Sequence, residues 1–179
     1  MRKFFILCWV GILSISCPVF GQAEESMDKI ELWSTAFGEG AAIPSDFTCD
    51  GADMSPPIEW SGVPAVAKSL AVIAEDPDAA GGNWVHWLIY NLSPDLNQLP
   101  AGVPQKADLP SGGLQGRNDF GGIGYGGPCP PRGVHRYFFK IYALDTLLHL
   151  NPGATKKELL NAMQGHVLAE GHLMGTYER

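Results

Sequence analysis

The chain has 179 residues, a length suited to one domain. It carries 19 acidic against 12 basic side chains, a formal net charge of −7. No cluster of Lys and Arg stands along it, so the electrostatic footprint of a nucleic-acid binder is missing.

In chain order the first feature is a leader. Arg2 and Lys3 precede an uncharged, largely apolar run over residues 4–16, and small residues stand at Gly21 and Ala23. This pattern predicts a secretory signal peptide over residues 1–23, cleaved near Ala23. The run falls short of the roughly 20 residues that a spanning helix needs. Lipid attachment at Cys17 is a rival, although Ser14 stands where a lipobox prefers Leu. Cleavage removes Arg2, Lys3 and no acid, which takes the net charge from −7 to −9. The expected destination is the periplasm or the exterior, with no stable membrane insertion afterwards. Residues 27–179 are then the folded domain. Of the four cysteines, Cys49 and Cys129 remain after cleavage. An even count in an oxidising compartment points to a disulfide, against the alternative of two separate thiols.

Clusters of Gly and Pro separate short apolar runs, the punctuation of a β-rich domain. Strands are predicted over 30–33, 69–74, 84–92 and 135–144. The third looks buried on both faces, and a period of two puts Trp84, His86, Leu88 and Tyr90 on one of them. Thr155 and Glu158 have capping-box spacing. Leu159, Met163 and Val167 recur every four residues, which predicts one helical face, with Gly171 ending the helix. A short final strand is expected over 172–177. The reading is mainly β, with peripheral helical pieces.

Two stretches could carry chemistry. Asp76 and Asp78 stand at the end of the second strand and, in extended geometry, point the same way; acids there are commonly just turn formers. His86 lies inside the most apolar strand, where an imidazole needs a hydrogen-bond partner or a ligand. His135 opens the fourth strand and shares a face with Tyr137. The loop before it, 121–133, is rich in Gly and Pro, so its backbone can approach a ligand closely. Gly122, Gly124 and Gly127 satisfy G-x-G-x-x-G, but Pro128, Pro130 and Pro131 follow and no helix can open there to receive a pyrophosphate. Asp76, His86 and His135 are also the residue types of a facial metal triad. A hydrolase using Cys129 or a serine is a further rival, without a G-x-S-x-G elbow to support it.

These stretches sit in a longer ordered set. It runs from F-T-C-D-G at 47–51 and S-P-P at 55–57 to D-P-D at 76–78 and W-V-H-W at 84–87. It ends with G-P-C-P-P-R-G-V-H-R-Y-F-F at 127–139 and G-T-Y at 175–177. The set resembles the phosphatidylethanolamine-binding protein family, also called the Raf kinase inhibitor protein family, in its bacterial form. The resemblance implies a large central antiparallel sheet, a smaller second sheet and a few peripheral helices. It also implies a pocket for small anions such as phosphate, acetate or phosphorylated head groups. The pocket residues would be Asp76, Trp84, His86, Pro130, Pro131, His135 and Tyr137, with no metal and no cofactor. Ala80 departs from the family's D-P-D-A-P, which would loosen the rim beside Asp76. Asp76 itself is expected to act on a histidine, fixing its tautomer or raising its pKa. The expected function is exported, non-catalytic binding of a small anion or phospho-ligand. The alternative is an inhibitor or modulator of a protein partner such as a protease, kinase or host factor.

Overall fold

The structure is a computed structural model that describes residues 28–179. The expected leader, its cleavage site and Cys17 lie outside the described residues.

Among the described residues the chain forms two sheets. The larger has the order β1 (Asp28–Lys29), β9 (Val167–Glu178), β8 (Val134–Leu144), β4 (Ser69–Asp76), β5 (Trp84–Leu92), β7 (Leu114–Gln115). Its five strands from β9 to β7 are antiparallel, and β1 joins β9 in parallel. The smaller sheet is antiparallel, in the order β2 (Glu31–Trp33), β3 (Ile58–Ser61), β6 (Gln98–Leu99). Among the described residues one α-helix, α1 (Lys156–Met163), completes the architecture. This matches the expected mainly β, two-sheet fold.

β4 is buried at every position because both of its faces are covered. Leu70, Val72 and Ala74 join the main core, which also holds Trp60, Trp87, Ile89, Phe139 and Ile141. Ala71 and Ile73 join a second core with Leu88, Tyr90, Leu159 and Met163, under α1. Burying Leu159 and Met163 contributes roughly 1.5–3 kcal/mol each, and the helix starts on the expected capping box between Thr155 and Glu158.

Three expectations change. The first expected strand, 30–33, is observed as β2 over Glu31–Trp33, while β1 precedes it; buried Ile30 stands between them, so that β1 lies in one sheet and β2 in the other. The helix stops at Met163, with Gly165 at φ +79° just beyond it. Val167 therefore opens β9, and the final strand has 12 residues rather than six. Gly171 does not cap a helix. It lies in β9, where an added Cβ would sit 2.0 Å from the Ile30 carbonyl oxygen, so glycine lets the β1 chain lie against the sheet.

The third change concerns β5. Ala74 pairs with Trp87 and Glu75 with Val85, which leaves His86 as an extra residue on β5. A bulge of this kind re-aims side chains. Leu88 and Tyr90 consequently join the core under α1. His86 instead packs edge-on against Tyr137, a main-core residue, with ring centroids 5.2 Å apart. The predicted shared face of Trp84, His86, Leu88 and Tyr90 ends at this bulge.

Candidate functional site: a cavity between two histidines

The bulge sets His86 at one end of the large sheet, beside the start of β8. Its ring is buried, and Nδ1 lies 2.6 Å from the Gly126 carbonyl oxygen. A carbonyl can only accept, so Nδ1 carries the proton and donates. The Gly126 N–H in turn donates to the His86 carbonyl at 2.9 Å. Burial pushes the His86 pKa below its usual value of 6.5, against the opposing pull of Gly126 and of the Asp76, Asp119 and Asp53 carboxylates.

His135 is held differently. Its Nδ1 lies 2.7 Å from Asp76 Oδ2, and Asp76 is only 4% exposed. The other Asp76 oxygen accepts from the Asp78 N–H at 2.8 Å. Asp76 thus fixes the orientation of the His135 ring. Asp78 takes the Arg136 guanidinium through both oxygens, at 2.7 and 2.9 Å, and accepts the Arg136 N–H. That fork holds the Asp78 carboxyl down at about 2 and ties the 76–78 turn to β8.

Both histidines line one cavity of about 210 Å³. Asp76, Trp84, Pro130 and Pro131 line it too, with Ala79, Ala80, Phe120 and Cys129. Six of the seven residues implied by the resemblance therefore meet at one place. The seventh, Tyr137, stands behind His86. Its hydroxyl is buried without a hydrogen-bond partner among the described residues. Burial and the Asp76 charge push its pKa up, so the phenol stays protonated as a donor. With both Nδ1 positions engaged, each imidazole has only Nε2 left for a ligand. Nε2 accepts in the neutral ring and donates in the imidazolium. Among the described residues no three His, Cys, Asp or Glu side chains are grouped as ligands to one metal ion.

The wall opposite the sheet is the loop from Asn118 to Pro131. Cys129 is bridged to Cys49, with Cα atoms 5.5 Å apart. The Gly127 N–H donates to Asp53 Oδ1 at 2.6 Å, and the Cys49 N–H donates to the Pro128 carbonyl. These contacts hold Pro130 and Pro131 in place. Closer to β5, Asp119 exchanges two bonds with Val85. Its N–H donates to the Val85 carbonyl at 2.9 Å, and its Oδ2 accepts the Val85 N–H at 2.7 Å. Asn118 closes the turn onto Gly122 and Gly124. Phe120, 51% exposed, stands edge-on to both Trp84 and His86.

Phe120, Asn118, Asp119 and Asp53 are site residues that sequence reasoning missed. The signal available was N-D-F-G-G at 118–122. Asn and Asp before glycines bind their own backbone and set a turn, and an aromatic at the tip of such a turn is then presented to a neighbour.

The fold and the cavity together define a two-sheet β protein with a histidine-lined pocket at one end of its large sheet. The chain belongs to the phosphatidylethanolamine-binding protein family, whose sequence profile matches residues 33–178. A UPF0098 protein of Methanothermobacter thermautotrophicus is 55% identical over 150 residues, covering 84% of this chain and 99% of that one. Two crystal structures have the same fold. The PEBP homolog CT736 of Chlamydia trachomatis has a TM-score of 0.78 at 46% identity, covering 85% of this chain and 99% of its own. E. coli YbcL, described as a member of the mammalian PEBP family, has a TM-score of 0.78 at 33% identity, covering 84% and 99%. The similar proteins are archaeal as well as bacterial, so the likeness fixes the family and not a bacterial branch of it.

Proposed function

We propose that this chain is an exported, non-catalytic binding protein for small phosphorylated anions, held between His86 and His135. One observation carries the reading: two imidazoles converge on one cavity, each with Nδ1 engaged and Nε2 left to a ligand. Tyr137 supports it with a buried hydroxyl that has no hydrogen-bond partner among the described residues. Membership of the family supports anion binding in general. Asp76 acts through His135, fixing its ring with Nδ1 engaged and Nε2 left to the ligand. The non-catalytic part of the reading is supported by the cavity's one cysteine, which is committed to a disulfide and is not available as a thiol nucleophile.

Calorimetry with inorganic phosphate and with O-phosphoethanolamine tests the reading. His86→Ala and His135→Ala should each weaken binding by about tenfold, the effect of losing one charge-assisted hydrogen bond. Phosphoethanolamine should be recovered unhydrolysed. Affinity unchanged in both variants would sink the proposal, and release of inorganic phosphate would overturn its non-catalytic part. Export is tested by fractionating cells that express the full chain: recovery of uncleaved protein in the cytoplasm refutes it.

A further inference from the structure

A second concavity among the described residues, about 750 Å³, lies on the outer face of the large sheet and shares no lining residue with the histidine cavity. Alternation along β8 puts Arg136, Phe138, Lys140 and Tyr142 on this face, while Tyr137, Phe139 and Ile141 turn into the core. Register builds the floor in rows. Glu75 stands opposite Phe138 across β4 and β8. Lys140 stands opposite His172 across β8 and β9. Tyr142 stands opposite Glu170, with Lys29 beyond it on β1.

The middle of the groove is aromatic. Phe138 is half-buried, with the Arg136 guanidinium 6.0 Å and the Lys140 ammonium 5.9 Å from its ring centroid. The His172 ring lies tilted against it, with centroids 6.1 Å apart. An aromatic surface open to solvent between two cations is a poor way to finish a sheet face and a good platform for a flat ligand.

The charges are unevenly matched. Arg136 is taken by Asp78, and Lys29 and Glu170 are register neighbours. The buried Glu75 carboxylate is shared by two ammonium groups, Lys140 at 2.6 Å and Lys156. Two cations on one carboxylate leave one positive charge unmatched, at the edge of the aromatic floor and in a chain of net charge −7. The volume lies within the range of about 300–1,000 Å³ that small-ligand sites occupy.

We propose that this groove is a second ligand site, for a small molecule that joins one anionic group to a flat aromatic body. The anionic group meets Lys140, which lines the groove and shares its Glu75 partner with Lys156. The ring lies over Phe138 and His172. A polyanionic strand is disfavoured, because Arg136 and Lys29 already face Asp78 and Glu170. The inference is independent of the phosphate reading and survives if that reading fails.

The test uses 2-naphthoate as probe on the full domain, titrated by calorimetry with saturating inorganic phosphate present. One saturable site is expected, and uncharged 2-naphthylmethanol should bind about tenfold or more weakly, since it lacks the charge-assisted contact. Lys140→Met and Phe138→Ala should each weaken 2-naphthoate by about tenfold, and His86→Ala should not change it. Circular dichroism checks that each variant is folded. If Lys140→Met fails to fold, Phe138→Ala and the uncharged analogue still decide the matter. No saturable binding, competition by phosphate, loss in His86→Ala, or equal affinity for the uncharged analogue would each overturn the assignment.

Discussion

Anion affinity in the histidine cavity should rise as pH falls, through proton uptake at His86. Sulfate is the probe of choice, because it keeps its charge while imidazole titrates. The His86 Nδ1 proton is given to Gly126 at 2.6 Å, so an anion at Nε2 calls for a second proton. Burial holds the free pKa below 6.5, and His86 in the empty site is therefore mainly neutral at pH 7. An anion about 4 Å away, at an effective dielectric constant of about 20, favours the imidazolium by about 4 kcal/mol. That raises the pKa in the complex by up to about three units. The sign follows from linkage: between the two pKa values, each unit fall in pH strengthens binding by about tenfold. Below the free pKa the gain stops, so the plateau should lie at a pH under 6.5. Calorimetry near pH 7 in two buffers of different ionisation enthalpy reads the uptake directly. His86→Gln, which cannot charge, should lose its share of the uptake and flatten the profile at the acid end. A buffer-independent heat in the wild type, or a His86→Gln profile that matches it, refutes the reasoning.

Three further outcomes follow from the packing. Glu75→Gln leaves Lys140 and Lys156 without their shared carboxylate, and should cost about 3 kcal/mol in urea unfolding. The two lysines hold the Glu75 pKa below its usual 4.5 despite burial. Its contribution is thus present above the unfolded pKa and lost as pH falls through the folded one, so the gap between wild type and variant should close in acid; a gap constant with pH contradicts this. Replacing Cys49 and Cys129 together by Ser frees residues 80 apart in sequence. Loop entropy puts the loss at about 4–5 kcal/mol, read as a lower Tm, and phosphate affinity should fall as the Pro130–Pro131 wall loosens; an unchanged Tm denies the bridge its role. Gly171→Ala would place a Cβ 2.0 Å from the Ile30 carbonyl oxygen. It should destabilise by more than about 3 kcal/mol, and a variant of wild-type Tm would show that β1 does not lie against β9 as described.

Much of the fold was legible where local signals and burial agree. β4 reads as a strand because six apolar or small residues run to a proline-containing turn, and the capping box marks the start of α1. The end of α1 was not legible. Val167 continues the four-residue spacing of Leu159 and Met163, and only tertiary pairing with Leu144 claims it for a strand. Gly171 looked like a cap because sequence gives no sign of a neighbouring chain 2.0 Å from where its Cβ would be. The site was legible as a set of residue types in order, and six of them do meet. The partner of each histidine was only half visible. Asp76 was expected to act on an imidazole, and it takes His135. The Gly126 carbonyl that takes His86 has no side chain to announce it.

The bulge at His86 explains why period-two reasoning located the residue and misjudged its company. In an unbroken strand, Leu88 and Tyr90 would share the side of His86. They would then crowd the cavity face, and Trp87 would be drawn from the main core. One extra residue opposite the Ala74–Glu75 step lets Trp87 and Ile89 stay in the main core while Val85, Leu88 and Tyr90 lie under α1. β8 meets the same demand with no bulge along its pairing to β4. Its odd positions carry His135 and Tyr137 to the cavity side, and its even positions carry Arg136, Phe138 and Lys140 to the outer groove. A one-residue slip of β8 would exchange the two surfaces. Its pairing with β4 on one side and β9 on the other therefore fixes where both concavities lie, and a substitution that shifts that register should disable both at once.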